Sequence, residues 1–163
     1  MSYSSIRILP MSKNEFQNRS HNEVQQDFFL KQLPAREHNN NKGLYCFKKF
    51  AFAKDTPLDN NTLILFQYKA RIIATAELKN IVYLNKAQGD YTGYFILNRS
   101  SICIFNPIDS STLSNIFNQS IKFCQARHKL DVSKYNKFNS SLINKFCIDM
   151  SKVNVTEPLK CMP

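Results

Sequence analysis

Two apolar runs separated by three residues constrain this chain more than any other feature. Thr62-Leu63-Ile64-Leu65-Phe66-Gln67 and Arg71-Ile72-Ile73-Ala74-Thr75-Ala76-Glu77-Leu78 enclose only Tyr68-Lys69-Ala70, a gap of hairpin length. A parallel crossover needs a dozen or more residues, so these strands pair antiparallel. Further short apolar runs with turn-rich gaps read as strands in the same way: Leu44-Tyr45-Cys46-Phe47 after Gly43, Phe50-Ala51-Phe52, and Tyr91 to Phe105. The last is long enough for a bent strand or two consecutive ones, with Asn98-Arg99-Ser100-Ser101 as its expected break.

Helices bracket the strands. A capping box, Ser20-x-x-Glu23, predicts a helix from Asn22 to Gln32 that stops before Pro34. After Asn106-Pro107 the apolar period changes to 3.6. Asp109 or Ser110 can cap a helix with Leu113, Ile116, Phe117 and Ile121 on one face, and a second helix starts near Ser133 with Tyr135, Phe138, Leu142 and Phe146 on its core face. The expected fold is α+β: a small, curved, mostly antiparallel sheet or barrel flanked by helices. Residues 1–42 read as a helical and flexible N-terminal segment, 43–149 as the barrel with its C-terminal helices, and 150–163 as a tail or linker.

The 163 residues suit one domain, and 43% apolar content with thirteen Phe is enough for a core. The three glycines, Gly43, Gly89 and Gly93, cannot form the closely spaced phosphate-binding loops of dinucleotide or NTP sites. No cofactor and no metal is expected. Cysteines at 46, 103, 124, 147 and 161 lack zinc spacing and read as buried or free thiols in a reducing compartment. Neither a membrane span nor the apolar core of a signal peptide is visible, so the expectation is a soluble, cytoplasmic protein without a membrane partner. The net charge of +10 favours a polyanionic partner such as nucleic acid. It rises to +5 over residues 110–163, against +3 over 1–59 and +2 over 60–109.

The order of segments resembles the PUA-like superfamily, which includes the EVE, ASCH, YTH and SRA domains, with EVE most similar. The resemblance runs from Gly43 to Phe146. It is carried by Gly43-Leu44-Tyr45-Cys46-Phe47, the hairpin Leu63 to Leu78, the Gly89-Asp90 turn into Tyr91-Thr92-Gly93-Tyr94-Phe95-Ile96-Leu97, and Ile102 to Ile108 followed by a helix. Phe123-Cys124-Gln125-Ala126-Arg127 and the closing helix complete it. Such domains are small barrels that read RNA or modified bases, often as the specificity part of modification-dependent restriction systems. The resemblance implies an aromatic base pocket with a cationic rim, and no catalysis in this chain. With no Trp present, the base-binding candidates are Tyr45, Phe47, Tyr68, Tyr91 and Tyr94, with Asn98 and Gln125 able to read a base edge. Phosphate-binding candidates are Lys48, Lys49, Lys69, Arg71, Arg99 and Arg127, with Lys86 and Lys129 further along the rim. The expected partner is nucleic acid, DNA before RNA, together with an associated nuclease domain or subunit.

Two other readings compete. Asp59 with Glu77-Leu78-Lys79 resembles the D…E-x-K arrangement of Mg-dependent nucleases. A basic adaptor for an acidic protein partner would also fit the charge, and aromatic placement discriminates the two binding classes.

Overall fold

The computed structural model describes residues 3–48, 60–123, 129–153 and 156–158. Strand β1 (Ser5–Pro10) leads into a helical segment, α1, over residues 21–35. Short strands β2 (Arg36–His38) and β3 (Asn41–Lys42) precede β4 (Leu44–Lys48), β5 (Thr62–Tyr68), β6 (Arg71–Gln88) and β7 (Tyr91–Ile108). Helix α2 (Ser110–Phe117), β8 (Lys129–Leu130), α3 (Tyr135–Ser141), β9 (Phe146–Cys147) and β10 (Glu157–Pro158) follow.

The hairpin forms as expected and the sheet does not close. β5 and β6 pair antiparallel through a two-residue turn in which Lys69 and Ala70 both have positive φ, 44° and 59°. The main sheet runs β4-β7-β6-β5-β1-β8, with β9 on β7. Its ends, β4 and β8, are not paired to each other among the described residues, so it is an open curved sheet and not a barrel. The outer edge of β7 is shared: its first half takes β4 and its second half takes β9.

Alternation along β5 explains the layers. Leu63 and Leu65 face a core with Ile6, Ile8, Leu113, Phe117 and Phe138, while Ile64 and Phe66 face one with Phe28, Phe29 and Leu33 of α1. Helices thus cover both faces, and β5 is buried along its whole length. α1 is capped by the Ser20/Glu23 box, as its sequence predicts. It continues past Gln32 through Pro34, and over Val24–Gln32 it is wound as a π-helix, with the Leu33 N–H donating to the Phe28 carbonyl. The wider turn keeps Val24, Phe28, Phe29 and Leu33 on the sheet side.

Several expectations change in detail. β1 pairs parallel with β5 from Ser5↔Thr62 to Pro10↔Gln67, a strand not expected before Gly43. β6 runs ten residues beyond Leu78, and β7 bulges where the break was expected. Thr75 faces Cys103 and Glu77 faces Asn98, so residues 99–102 oppose Ala76 alone. Asp109 caps α2 by accepting from the Thr112 N–H. α3 ends at Ser141, which leaves Phe146 on a strand and 52% exposed instead of on a helical core face. Past Met150 the chain returns to pair Glu157 and Pro158 with Arg36 and Glu37. Cys103 and Cys147 are disulfide-bonded, not free thiols, because the register of β9 on β7 sets them opposite each other. Cys46 is buried and is not part of a disulfide. No helix among the described residues is long and apolar enough to cross a membrane.

Candidate functional site

The aromatic rings selected from sequence are packing groups. Tyr45 and Phe47 are each 8% exposed and stack on Phe95 from inside the α1 core. Burial pushes the Tyr45 hydroxyl far above its ordinary range, and Glu15 adds to the shift. Tyr68 is wholly buried and donates to the Arg19 carbonyl, and burial raises its pKa too. Tyr94 belongs to the cluster of Leu44, Cys46, Tyr91 and Ile96. The Tyr91 hydroxyl donates to Glu15 Oε2, 3.0 Å away. A base stacked on any of these rings displaces core.

Among the described residues, the candidate cations stand at separate places. Lys48 is ion-paired with Glu15 and lies over the Tyr91 ring. Arg99 donates to the Pro34 carbonyl at the end of α1. Lys69 and Arg71 stand together at the β5–β6 turn. Lys49, Gln125 and Arg127 lie outside the described residues, as does Asp59.

A different site emerges beside that turn. A groove of about 610 Å³ runs between α1 and the end of β7, lined by Asn22, Gln25, Gln26, Asn106, Asn144 and Phe146 among others. Its size falls in the roughly 300–1,000 Å³ range of small-ligand sites. Leu30, Ile104 and Phe105 supply apolar surface. Gln25 makes the floor polar. It is 6% exposed, and its Nε2 donates to the Ile73 carbonyl at 2.9 Å and to the Phe105 carbonyl at 2.7 Å. Both partners are acceptors, which fixes the orientation of the amide. Oε1 meets no protein donor among the described residues and is not sealed in the core, so it opens into the groove as a fixed acceptor.

The walls are held in place as well. His21 Nε2 lies 3.0 Å from the Tyr68 carbonyl and 3.2 Å from that of Lys69, so this nitrogen carries the proton and ties α1 to the hairpin turn. The opposite wall, 143–148, is fastened to β7 by Asn106 N–H to Ile143 O, Ile148 N–H to Ile102 O and the Cys103–Cys147 disulfide. Asn144 donates to Asn106 Oδ1 across the groove end. Phe146 is therefore an exposed ring on an anchored strand. Three cations are near neighbours of lining residues along the chain without themselves lining the groove: Lys69, whose carbonyl meets His21 and whose Nζ donates to the Asn18 carbonyl, Arg71, which donates to the Ala70 carbonyl, and Lys145, whose Nζ donates to Asn139 Oδ1.

A smaller cavity of about 360 Å³ brings Glu77, Lys79 and Asn98 together with Tyr3, Asn61 and Thr62. Glu77 accepts from the Tyr3 hydroxyl at 2.7 Å and from Asn98 Nδ2 at 3.1 Å. Burial and Glu77 drive the Tyr3 pKa well above the ordinary tyrosine value, so Tyr3 remains a donor. No group of three metal-ligating side chains occurs among the described residues.

The groove residues went unread in the sequence for identifiable reasons. Phe146 continues the helical spacing of Tyr135, Phe138 and Leu142, but the chain turns at Asn144, whose φ is 55°. Gln25 carried a usable signal: it is a polar residue beside Val24 on the apolar side of α1.

No protein-family model matches the chain. No curated protein matches it either. Among solved structures it is similar to an ASCH protein from Zymomonas mobilis, crystallised as a mutant, with 13% identity, a TM-score of 0.50 and coverage of 87% of this chain and 99% of that one. Nothing in the likeness favours the EVE branch over the ASCH branch. At that identity the likeness concerns the fold alone, and it supports a PUA-like α+β fold for this chain.

Proposed function

We propose that the chain is a nucleic-acid-binding module that seats one unstacked base in the groove between α1 and β7. The observation that carries this reading is the pairing of a fixed, unpartnered acceptor, Gln25 Oε1, with an exposed ring, Phe146, in a single groove. An aromatic face restores roughly 1–3 kcal/mol of the stacking that an extruded base loses. Amides of Asn22, Gln26, Asn106 and Asn144 line the groove around the base edge, and Lys69, Arg71 and Lys145, which neighbour it along the chain, are the cations offered to the backbone. The net charge of +10 supplies the long-range attraction.

In its narrower form the ligand is a modified base in DNA, and the chain is the recognition part of a restriction system whose nuclease is an associated domain or subunit. Binding to modified and unmodified DNA and to RNA, measured by fluorescence anisotropy at one salt concentration, tests both forms. The narrower form requires tighter binding to one modified DNA. Equal affinity for all of them defeats it and leaves the broader reading standing, whereas no binding to any defeats both.

The adaptor reading has one observation of its own, since Ile143, 62% exposed, stands three residues before the exposed Phe146. The same titrations decide it: an adaptor binds none of the nucleic acids.

A further inference from the structure

Resting on the groove as a base site, we infer that it selects bases bearing an exocyclic amino group with at least one N–H, against thymine and uracil. Gln25 is only 6% exposed, and both hydrogens of its amide are committed to the carbonyls of Ile73 and Phe105. It can neither rotate nor donate without breaking those bonds. Whatever reaches the floor meets an acceptor in a fixed place, beside two further carbonyl oxygens.

Adenine, cytosine and guanine place an amino group at the base edge, and it can donate to Gln25 Oε1. A base with one substituent on that nitrogen keeps one N–H and is still accepted. Thymine and uracil present O4 at the corresponding position, and their only edge donor, N3–H, is recessed between two carbonyl oxygens. N3–H can reach Gln25 Oε1 only by bringing O2 and O4 toward that acceptor and the Ile73 and Phe105 carbonyls beside it, so oxygen faces oxygen on either side of the bond and the contact is weaker than one made by an amino group. The edge is free only in single strands or in an extruded base, so the selection applies to those states.

The test uses the full chain with its disulfide intact and short single-stranded oligo-dC, oligo-dA and oligo-dT at one salt concentration. Oligo-dC and oligo-dA are expected to bind about 5–100-fold more tightly than oligo-dT, the range of a good edge contact. On the ligand side, oligo-dC carrying N4-methylcytosine retains the preference, and N4,N4-dimethylcytosine, which has no N–H, falls to the oligo-dT level. On the protein side, Gln25→Met brings oligo-dC to the oligo-dT level while changing oligo-dT less than threefold. Equal wild-type affinity for oligo-dC and oligo-dT overturns the selection but leaves the base groove in place. Unchanged binding of the dimethylated oligonucleotide overturns it even if Gln25→Met does not fold. A Gln25→Met chain that weakens all ligands equally shows that Gln25 only shapes the groove, and absence of binding to every oligonucleotide removes the proposed function itself.

Discussion

Cys103 on β7 and Cys147 on β9 face each other with Cα atoms 4.0 Å apart, joined by a disulfide that anchors the strand carrying Phe146. The bond closes a loop between positions 44 residues apart. Crosslinks of this kind contribute roughly 2–4 kcal/mol. Reduction, or the double change Cys103→Ser and Cys147→Ser, should lower the urea midpoint and also weaken oligonucleotide binding, because the Phe146 wall is then held only by hydrogen bonds, those of the backbone and one between Asn144 and Asn106. Reduced protein with unchanged stability and affinity would show that the disulfide does not support the groove.

The turn between β5 and β6 offers a second test. Lys69 and Ala70 adopt the left-handed region without glycine, at about 1–2 kcal/mol per residue for an ordinary side chain. The turn is held by Lys69 Nζ donating to the Asn18 carbonyl and by His21. Ala70→Gly removes part of the strain and should stabilise the protein by roughly 0.5–1 kcal/mol in a urea titration, less the entropy glycine adds to the unfolded chain. A destabilised Ala70→Gly protein would mean that the turn is not strained.

Lys69 and Arg71 should act as phosphate contacts. Changing either to Ala should weaken binding to every oligonucleotide by a similar factor and reduce the slope of log K against log salt by about 0.7–0.9. Lys48→Ala should leave that slope unchanged, because Glu15 already holds the Lys48 ammonium and raises its pKa. A sequence-dependent loss at Lys69 or Arg71, or a slope change at Lys48, would contradict this division.

Acid sensitivity follows from three capping carboxylates. Asp109 is held below the ordinary carboxylate range first by the Thr112 N–H, and Asp131 and Asp149 first by the hydroxyls of Ser133 and Ser151. Each folded pKa lies below its unfolded value, about 3.9, so the contribution is complete above that value and is lost as pH falls through the folded pKa. Urea midpoints should therefore drop as the pH falls below about 4. The drop should be smaller in Asp109→Asn, whose amide oxygen still caps α2 but does not titrate. An identical pH profile in that variant would remove Asp109 from the account.

The sequence was informative where contacts are local. The β5–β6 turn, the Ser20/Glu23 box and the Asp109 cap all depend on neighbours a few residues away. It was uninformative where partners are distant. β1 finds β5 across more than fifty residues, and Cys103 finds Cys147 only through the register of β9. The site suffered from the same limit. Tyr45 and Tyr68 look suited to a wet pocket because each has a polar end, yet Tyr68 spends its hydroxyl on the Arg19 carbonyl inside the core. Burial on both faces of the sheet depends on helices that no strand pattern reveals.

The central claim is that a base enters the groove beside Phe146. Photocrosslinking of the disulfide-intact chain to a single-stranded oligonucleotide bearing 5-iodocytosine, with the joined peptides sequenced by mass spectrometry, tests it directly. The account predicts attachment at Phe146, at His21, Asn22, Gln25 or Gln26, or within residues 104–107, all of which line the same groove. Attachment confined to the surface around Tyr91 and Lys48, with none at the groove, would contradict it.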